Sequence, residues 1–362
     1  MANASPPGPH RTSAEPAAAD HPTSWPRTVT VLAGGIGGSR FIRGLLAALG
    51  PGGEVTVIGN TADDMRLYGL HISPDLDTVM YTLGGGIDEE QGWGRSDESF
   101  LALAEIRAYA SSPEEHGALD TWFGLGDRDI GTHLTRTALL AAGATLSEVT
   151  EILCRRWRPG VRLLPMTDDD VQTHIVIEDP NSPDGTRRMH FQEYWVRLHA
   201  EAPAAAVDIT GAAAATPAPG VLGAIATADL VVFPPSNPVV SIGAILAVPG
   251  IADAVRATSA PVVGISPVIS GAPVRGMADK LLPAVGVDTS AAGIGLHYGA
   301  RSAGGLLDAF LVDSADGDAV GRLTAAGLRS AAVPLWMSDV DATATIARHA
   351  LSLVSPSAPV SA

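Results

Sequence analysis

The sequence predicts an α/β fold: a Rossmann-like, doubly wound and mainly parallel sheet with a smaller, mostly helical subdomain inserted into it. A β-branched run, Thr28 to Leu32, ends in the glycine-rich segment Gly34 to Gly38. A helical pattern and a second strand, Glu54 to Ile58, follow directly. This strand–helix–strand order implies parallel pairing. Apolar strands and helices alternate again from Ala228 onward, as in doubly wound sheets.

Apolar periodicity predicts the remaining elements. Helices are expected at 41–49, 134–142, 147–157, 191–199, 241–246, 317–326 and 340–353, and strands near 172–178, 228–233, 261–265, 306–312 and 331–336. Residues 207–209 are either part of a linker or a strand that returns to the sheet. The predicted nucleotide-binding domain comprises 27–127 and 201–354, and the inserted subdomain comprises 128–200. The Ala- and Pro-rich segment 1–26 and the segment 355–362 are predicted to be disordered tails.

Composition narrows the class of partner. The 362 residues carry a formal net charge of −16, which argues against nucleic acid and anionic membranes as partners. No apolar run is long enough to predict a membrane span, and the N-terminal segment lacks the apolar centre of a signal peptide. Cys154 is the only cysteine, so a disulfide framework is excluded and a cytoplasmic location is expected.

The glycine-rich segment stands between a strand and a helix, where phosphate binds to helix N-termini. It departs from the dinucleotide fingerprint, because Arg40 takes the place of the third glycine, and it lacks the lysine of the P-loop. An anionic ligand other than NAD is therefore predicted, the alternative being a tight turn without a ligand. The candidate nucleotide-binding residues here are Gly34, Gly35, Gly37, Gly38 and Ser39.

Four aspartates follow the second strand: Asp63, Asp64, Asp75 and Asp77. Carboxylates gathered in one cleft repel each other unless they are protonated or hold a cation. Hard oxygen ligands favour Mg²⁺, which takes one or two protein carboxylates together with substrate phosphates. We therefore expect one or two of the four to bind Mg²⁺ and another to act as a base. Helix capping is the alternative, and it accounts for two of them at most.

Polar turns also end two later strands. Ser236 and Asn237 follow the strand at 228–233, and Ser266 follows the next one. Ligands of open α/β sheets bind at these strand ends, although such residues are also common in turns. Lys280 is the only lysine among 23 basic residues, and it is either retained for its compact ammonium group or a chance surface residue.

Six motifs in this order resemble the 2-phospho-L-lactate transferase family, whose actinobacterial form is the phosphoenolpyruvate transferase of coenzyme F-420 biosynthesis. They start at Ala33, Asn60, Gly69, Gly126, Leu164 and Pro235. The resemblance covers about residues 28 to 350 and implies a Mg²⁺-dependent enzyme. Such enzymes transfer a phosphorylated three-carbon acid from a guanosine diphosphate conjugate to 7,8-didemethyl-8-hydroxy-5-deazariboflavin, and GMP leaves.

The resemblance also implies roles for residues. Asp63 would contact the deazaflavin hydroxyl or the metal, and Arg95 would lie on the deazaflavin side. The glycine loop would bind phosphate or ribose, Ser236 and Asn237 would bind the guanosine end, and Lys280 would lie near the nucleotide. A homodimer is expected. Whether the acid is enolpyruvyl, lactyl or glyceryl is left open, although an arginine-rich composition typical of actinobacteria favours enolpyruvyl.

Two other functions stay open on the sequence. Gluconeogenesis-factor proteins share the glycine loop and the acidic motifs, and a member of that group would bind a nucleotide sugar as a regulator without turnover. A Rossmann dehydrogenase is the weaker alternative, because the fingerprint fails.

Overall fold

The structure is a computed structural model that describes residues 25–111 and 119–355. Both predicted tails lie almost wholly outside the described residues. No helix within the described ranges is long and apolar enough to cross a membrane.

The elements are numbered in chain order. The strands are β1 Thr28–Ala33, β2 Glu54–Gly59, β3 Met65–Leu67, β4 Leu70–Ile72, β5 Arg162–Pro165, β6 Gln172–Glu178, β7 Thr186–His190, β8 Ala204–Thr210, β9 Leu230–Phe233, β10 Val262–Ile265, β11 Val268–Ile269, β12 Ala272–Pro273, β13 Ala309–Asp313 and β14 Arg329–Val333. The helices are α1 Ile36–Leu49, α2 Pro74–Leu83, α3 Leu101–Ala110, α4 Asp127–Ala141, α5 Leu146–Trp157, α6 Val221–Ala226, α7 Ile242–Ala247, α8 Ile251–Ala257, α9 Ala278–Leu281, α10 Ala291–Tyr298, α11 Ala319–Ala325 and α12 Val340–Val354.

Seven parallel strands form the main sheet, in the order β14-β13-β10-β9-β1-β2-β5. Val31 at its centre pairs with Val57 on one side and Val232 on the other. The strand order reverses between β1 and β9, which is where ligands bind in open sheets of this type. The predicted Rossmann-like parallel sheet is therefore confirmed, and the glycine loop lies at its switch point.

The sheet is buried on both faces. Val31 belongs to a core formed with α1, α2, α5 and α12, whereas the adjacent Leu32 belongs to a core on the opposite face that includes α6, α7, α8 and α10. For this reason every residue of the central strand β1 after Thr28 is buried, including the polar Thr30. This two-sided burial fixes the ends of β1 and β9, from which the candidate site is built.

The region expected to be one mostly helical subdomain is organised differently. β5 belongs to the main sheet, where Leu163 pairs with Val57. β6 is the middle strand of an antiparallel sheet with β7 and β8, and Val207 pairs there with Ile175, so residues 207–209 do not return to the main sheet. β7 is largely exposed and contains two arginines, so it has no apolar signal, and in β8 only Val207 and Ile209 indicate a strand. The helix expected at 191–199 is only a π-helical turn, Glu193–Arg197.

Candidate active site

The glycine loop joins the ends of β1 and β9. The Gly34 N–H donates to the Ser236 hydroxyl at 3.2 Å. A Cβ at Gly37 would lie 2.2 Å from the Pro235 carbonyl oxygen, so the close approach of the two segments requires glycine there. No side chain caps the start of α1, and its first turn contains no acid. The N–H groups of that turn therefore remain available to an anion.

The turn after β2 meets the same loop. The Asn60 side chain donates to Asp75 Oδ2 at 2.9 Å and accepts from the Ala62 N–H at 3.0 Å. Asp75 lies in the first turn of α2, and a Cβ on Gly35 would be 2.7 Å from its Oδ1. The structure thus places Asp75 against the glycine loop, and Asp63 and Asp64 close enough to Asp75 for their charges to interact with it. Backbone amides and carboxylates lie side by side.

Asp63 and Asp64 are buried, and each has one oxygen, Oδ1, without a hydrogen-bond partner among the described residues. The other oxygen of Asp64 accepts from the Ser73 hydroxyl at 2.6 Å and lies 2.9 Å from His71 Nε2. Burial, and next the charge of Asp75, hold the pKa of Asp63 well above its usual range. Burial also raises the pKa of Asp64. It raises that of Asp75 to about 6. Buried carboxylates that lie this close to one another are stabilised when protons or a cation neutralise them.

The acids fit a magnesium site that the substrate completes. Within the described ranges, no three His, Cys, Asp or Glu side chains converge to hold a metal on their own. Mg²⁺ does not need such a cage, because it keeps waters and binds through one or two carboxylates together with substrate phosphates. The unpartnered oxygens of Asp63 and Asp64 are hard carboxylate oxygens of the kind such an ion takes, and one of them is enough beside the substrate phosphates.

Asp77 does not join this cluster, which corrects the prediction that it is a candidate metal ligand. Both of its carboxylate oxygens accept from Arg136, with Arg136 Nη1 3.0 Å from Oδ2. Residues two apart on a helix point in different directions, so Asp75 faces the glycine loop while Asp77 faces α4. Arg136 was not predicted, because a single arginine within a helical pattern carries no local signal.

Arg95 is held by aromatic rings and not by the acidic turn. Its guanidinium carbon lies 4.9 Å from the centre of the Trp157 ring and 5.9 Å from that of Tyr81. Nη1 donates to the Arg128 carbonyl at 3.0 Å. These contacts favour a structural role, and the predicted contact with a deazaflavin stays a prediction.

The other predicted nucleotide residues differ in their placement. The Ser39 hydroxyl donates to the Ile36 carbonyl within α1, at 3.1 Å. Asn237 Oδ1 accepts from Val239 N at 2.9 Å, which caps the turn after β9. The Ser266 hydroxyl donates to the Val268 carbonyl at 2.9 Å. Lys280 is half exposed and pairs with the adjacent Asp279 at 3.6 Å. Of the polar strand-end residues, Ser236 is the one that contacts the glycine loop directly.

The three-stranded sheet contributes a residue that sequence reasoning missed. His190 Nδ1 accepts from the Gln192 N–H at 3.1 Å, and its Nε2 lies 3.1 Å from the Asp64 carbonyl oxygen. An N–H can only donate and a carbonyl can only accept, so the imidazole is neutral with its proton on Nε2. Burial lowers the pKa of His190 to about 4, in agreement. His190 thereby holds the backbone of the acidic turn, 126 residues away in sequence.

Comparison with known proteins agrees with this geometry. The family model described as 2-phospho-L-lactate transferase CofD matches residues 29–339. The chain is 62% identical to a phosphoenolpyruvate transferase of Kitasatospora aureofaciens and 60% identical to one of Streptomyces coelicolor, and each match covers 90% of this chain and 97% of the relative.

A crystal structure of a UPF0052 family member from Bacillus halodurans has the same fold. It matches with a TM-score of 0.59 at 18% sequence identity, and the match covers 90% of this chain and 98% of that one. The family model spans the glycine loop, the acidic turn, the three-stranded sheet and the turn after β9. The chain is therefore a member of the 2-phospho-L-lactate transferase CofD family.

Proposed function

We propose that the chain is a phosphoenolpyruvate transferase. It would move the phosphoenolpyruvyl group of enolpyruvyl-diphospho-5′-guanosine to 7,8-didemethyl-8-hydroxy-5-deazariboflavin, releasing GMP and forming dehydro coenzyme F-420-0. One observation carries the proposal: Asp75 lies against the start of α1 at the switch point of the sheet, and the neighbouring Asp63 and Asp64 are buried with one unpartnered oxygen each. The high identity to relatives named phosphoenolpyruvate transferase supports it over the nucleotide-sugar regulator and the dehydrogenase.

In this reaction the terminal ribityl hydroxyl attacks the phosphorus that carries the enolpyruvyl group. The bond from that phosphorus to the bridging oxygen of the diphosphate breaks, and GMP leaves with the bonding electrons. The N–H groups of the first turn of α1 hold the diphosphate oxygens. Asp63 accepts the proton of the attacking hydroxyl, because burial beside Asp75 raises the pKa of Asp63 and makes it a stronger base.

Asp64 is the candidate Mg²⁺ ligand through its unpartnered Oδ1, with Asp75 as the second. When bound, Mg²⁺ supplies positive charge to the diphosphate and to the leaving phosphate. Ser73 and His71 hold the other Asp64 oxygen, and His190 holds the Asp64 backbone. These three contacts orient the ligand before the ion and the substrate arrive.

The test is an assay of the purified chain with the deazaflavin, the guanosine conjugate and MgCl₂, in which GMP release and product mass are measured. The enolpyruvyl, lactyl and glyceryl conjugates are compared at equal concentration, and the enolpyruvyl conjugate is expected to give the highest kcat/KM. EDTA is expected to abolish turnover. Tight binding of a uridine nucleotide sugar without GMP release would instead support the regulator. Gel filtration and cell fractionation test two further proposals, a homodimer and a cytoplasmic location.

A further inference from the structure

Two arginines from opposite halves of the sheet converge beside the start of α1. Arg40 lies in the second turn of α1, and Arg275 lies between β12 and α9. A Cβ built on Gly92 would be 2.6 Å from Arg275 Nη1, 3.5 Å from Arg40 Nη2 and 3.4 Å from Ile36 Cγ2. Both guanidinium groups and the first residue of α1 are therefore close to a single point.

Neither arginine has a carboxylate partner within ion-pair distance in the described ranges. Arg275 donates to the carbonyls of Gln91 at 2.7 Å and Glu90 at 3.4 Å, and Arg40 donates to that of Glu89 at 3.4 Å. The Glu89 carboxylate pairs with Arg43 instead, at 2.8 Å. Burial, and then the charge of Arg275, lower the pKa of Arg40. Two like charges are thus held together, and the nearest carboxylate charge, that of Glu89, only partly offsets them because it is paired with Arg43.

The loop that contacts these arginines, residues 87–95, is held by hydrogen bonds within the loop. Asp88 Oδ1 accepts from the N–H groups of Glu90 and Gln91, both at 3.0 Å, and Ile87 forms an antiparallel bridge with Arg95. The loop carbonyls therefore use one edge of each guanidinium. Since each guanidinium carries five donors in a planar fork, donors remain for a ligand.

We propose that Arg40 and Arg275 bind the carboxylate of the three-carbon acid in the guanosine conjugate. The inference rests on the proposed function. The N–H groups of the first turn of α1 already serve the phosphates, so a cationic group beside them fits a second anionic group. A carboxylate matches the planar fork of arginine. Binding this carboxylate would let the site distinguish the conjugate from GDP, which has the same guanosine and diphosphate but no carboxylate.

Arg40→Gln and Arg275→Gln test the inference, with Arg43→Gln as the matched control on the same helix. Each test variant is expected to raise the KM for the conjugate roughly 10- to 100-fold, the range for a lost charge-assisted hydrogen bond. The KM for the deazaflavin and the Kd for GDP are expected to change less than about threefold. Arg40→Lys and Arg275→Lys are expected to recover only part of the loss, because lysine lacks the fork.

Three outcomes would overturn the assignment. An equal loss of GDP affinity would make the pair a diphosphate site. An equal rise in the KM for the conjugate and the KM for the deazaflavin, with a lower melting temperature, would show that the arginines only hold the loop in place. An unchanged KM for the conjugate would remove them from the site. The proposed function has its own test: it is wrong if the wild type binds the conjugate but releases no GMP. In that case, calorimetric titration of the conjugate into the same variants still tests whether the two arginines bind it.

Discussion

Arg136 donates to both carboxylate oxygens of Asp77 in the interior of the protein, where their side chains are 1% and 7% exposed. Burial lowers and the Asp77 carboxylate raises the pKa of Arg136; the carboxylate prevails, and the net pKa is raised. The pair joins α4 to α2. Because Asp75 lies on the first turn of α2, the same contact helps to fix the acid that faces the glycine loop.

Arg136→Met is expected to destabilise the protein by about 3–5 kcal/mol, because it leaves the buried Asp77 charge with only the His133 imidazole beside it, 3.7 Å away. Urea denaturation measures the change. Arg155→Met, which breaks the exposed pair with Glu151, is the control and is expected to cost less than about 1 kcal/mol. The double variant Arg136→Met/Asp77→Leu is expected to recover much of the loss. If Arg136→Met and Arg155→Met both lower the free energy of unfolding by a similar, small amount, the buried ion pair of Arg136 with Asp77 is contradicted.

Asp63→Asn and Asp64→Asn are expected to fail in different ways. Asparagine cannot accept the proton, so Asp63→Asn is expected to lower kcat about 10²- to 10⁴-fold while the Mg²⁺ concentration for half-maximal activity stays near the wild-type value. Asp64→Asn is expected to raise that Mg²⁺ concentration at least tenfold, because a ligand charge is lost. Circular dichroism checks that both variants fold. A large shift of the Mg²⁺ requirement in Asp63→Asn would exchange the two roles.

The acidic cluster predicts that Mg²⁺ stabilises the protein more at neutral than at acidic pH. The folded pKa of Asp75 is about 6, above the unfolded value of 3.8, so protonation favours the folded state. The stability it contributes is present below about pH 4 and is lost as pH rises through 6. Mg²⁺ replaces the protons, and its effect on Tm is therefore expected to be larger at pH 7.5 than at pH 5. Thermal scans with and without MgCl₂ measure this, and Asp64→Asn/Asp75→Asn should abolish the difference.

The parts of the molecule that could be predicted are those with local patterns. β1 and β2 could be predicted because both are rich in β-branched residues and flank the glycine loop and a helical pattern, and the acidic turn because its motif is contiguous. The contacts of Arg136 with Asp77 and of His190 with Asp64 join residues 59 and 126 positions apart. No local periodicity encodes such pairs. Of the small antiparallel sheet, β6 was predicted and 207–209 was left open as a strand, whereas the pairing of the three strands was not predicted, since β7 and β8 are held by pairing with β6 more than by apolar faces.

Gly37→Ala is expected to weaken both stability and nucleotide binding. The added Cβ would lie 2.2 Å from the Pro235 carbonyl oxygen, and backbone on both sides limits relaxation. A cost of about 1–3 kcal/mol is expected, together with a higher KM for the conjugate. Gly131→Ala is the control: Gly131 lies within α4, a Cβ there meets nothing within 4 Å, and alanine is expected to stabilise the helix by about 0.5–1 kcal/mol. Equal effects of the two changes would contradict the close approach of β1 and β9.

Cys154 in α5 is expected to resist alkylation in the folded protein. Burial, and next the charges of Asp77 and Glu151, raise the pKa of its thiol to about 12. Only the thiolate is nucleophilic, so at pH 8 the folded protein is expected to react with iodoacetamide roughly a thousandfold more slowly than the unfolded chain, whose thiol has a pKa of about 8.5. Mass spectrometry with and without guanidinium chloride measures the rates, and a single cysteine makes the mass shift unambiguous.

A second variant tests the cause of the slow reaction. Because the charge of Asp77 helps to raise the pKa of the Cys154 thiol, Asp77→Asn should lower that pKa and speed the reaction beyond any increase that comes from weaker folding. If labelling proceeds through local opening, its rate is expected to level off above about pH 8.5, the pKa of the unfolded thiol, instead of continuing to rise with pH. Labelling of the native wild type at the unfolded rate would place the thiol in solvent.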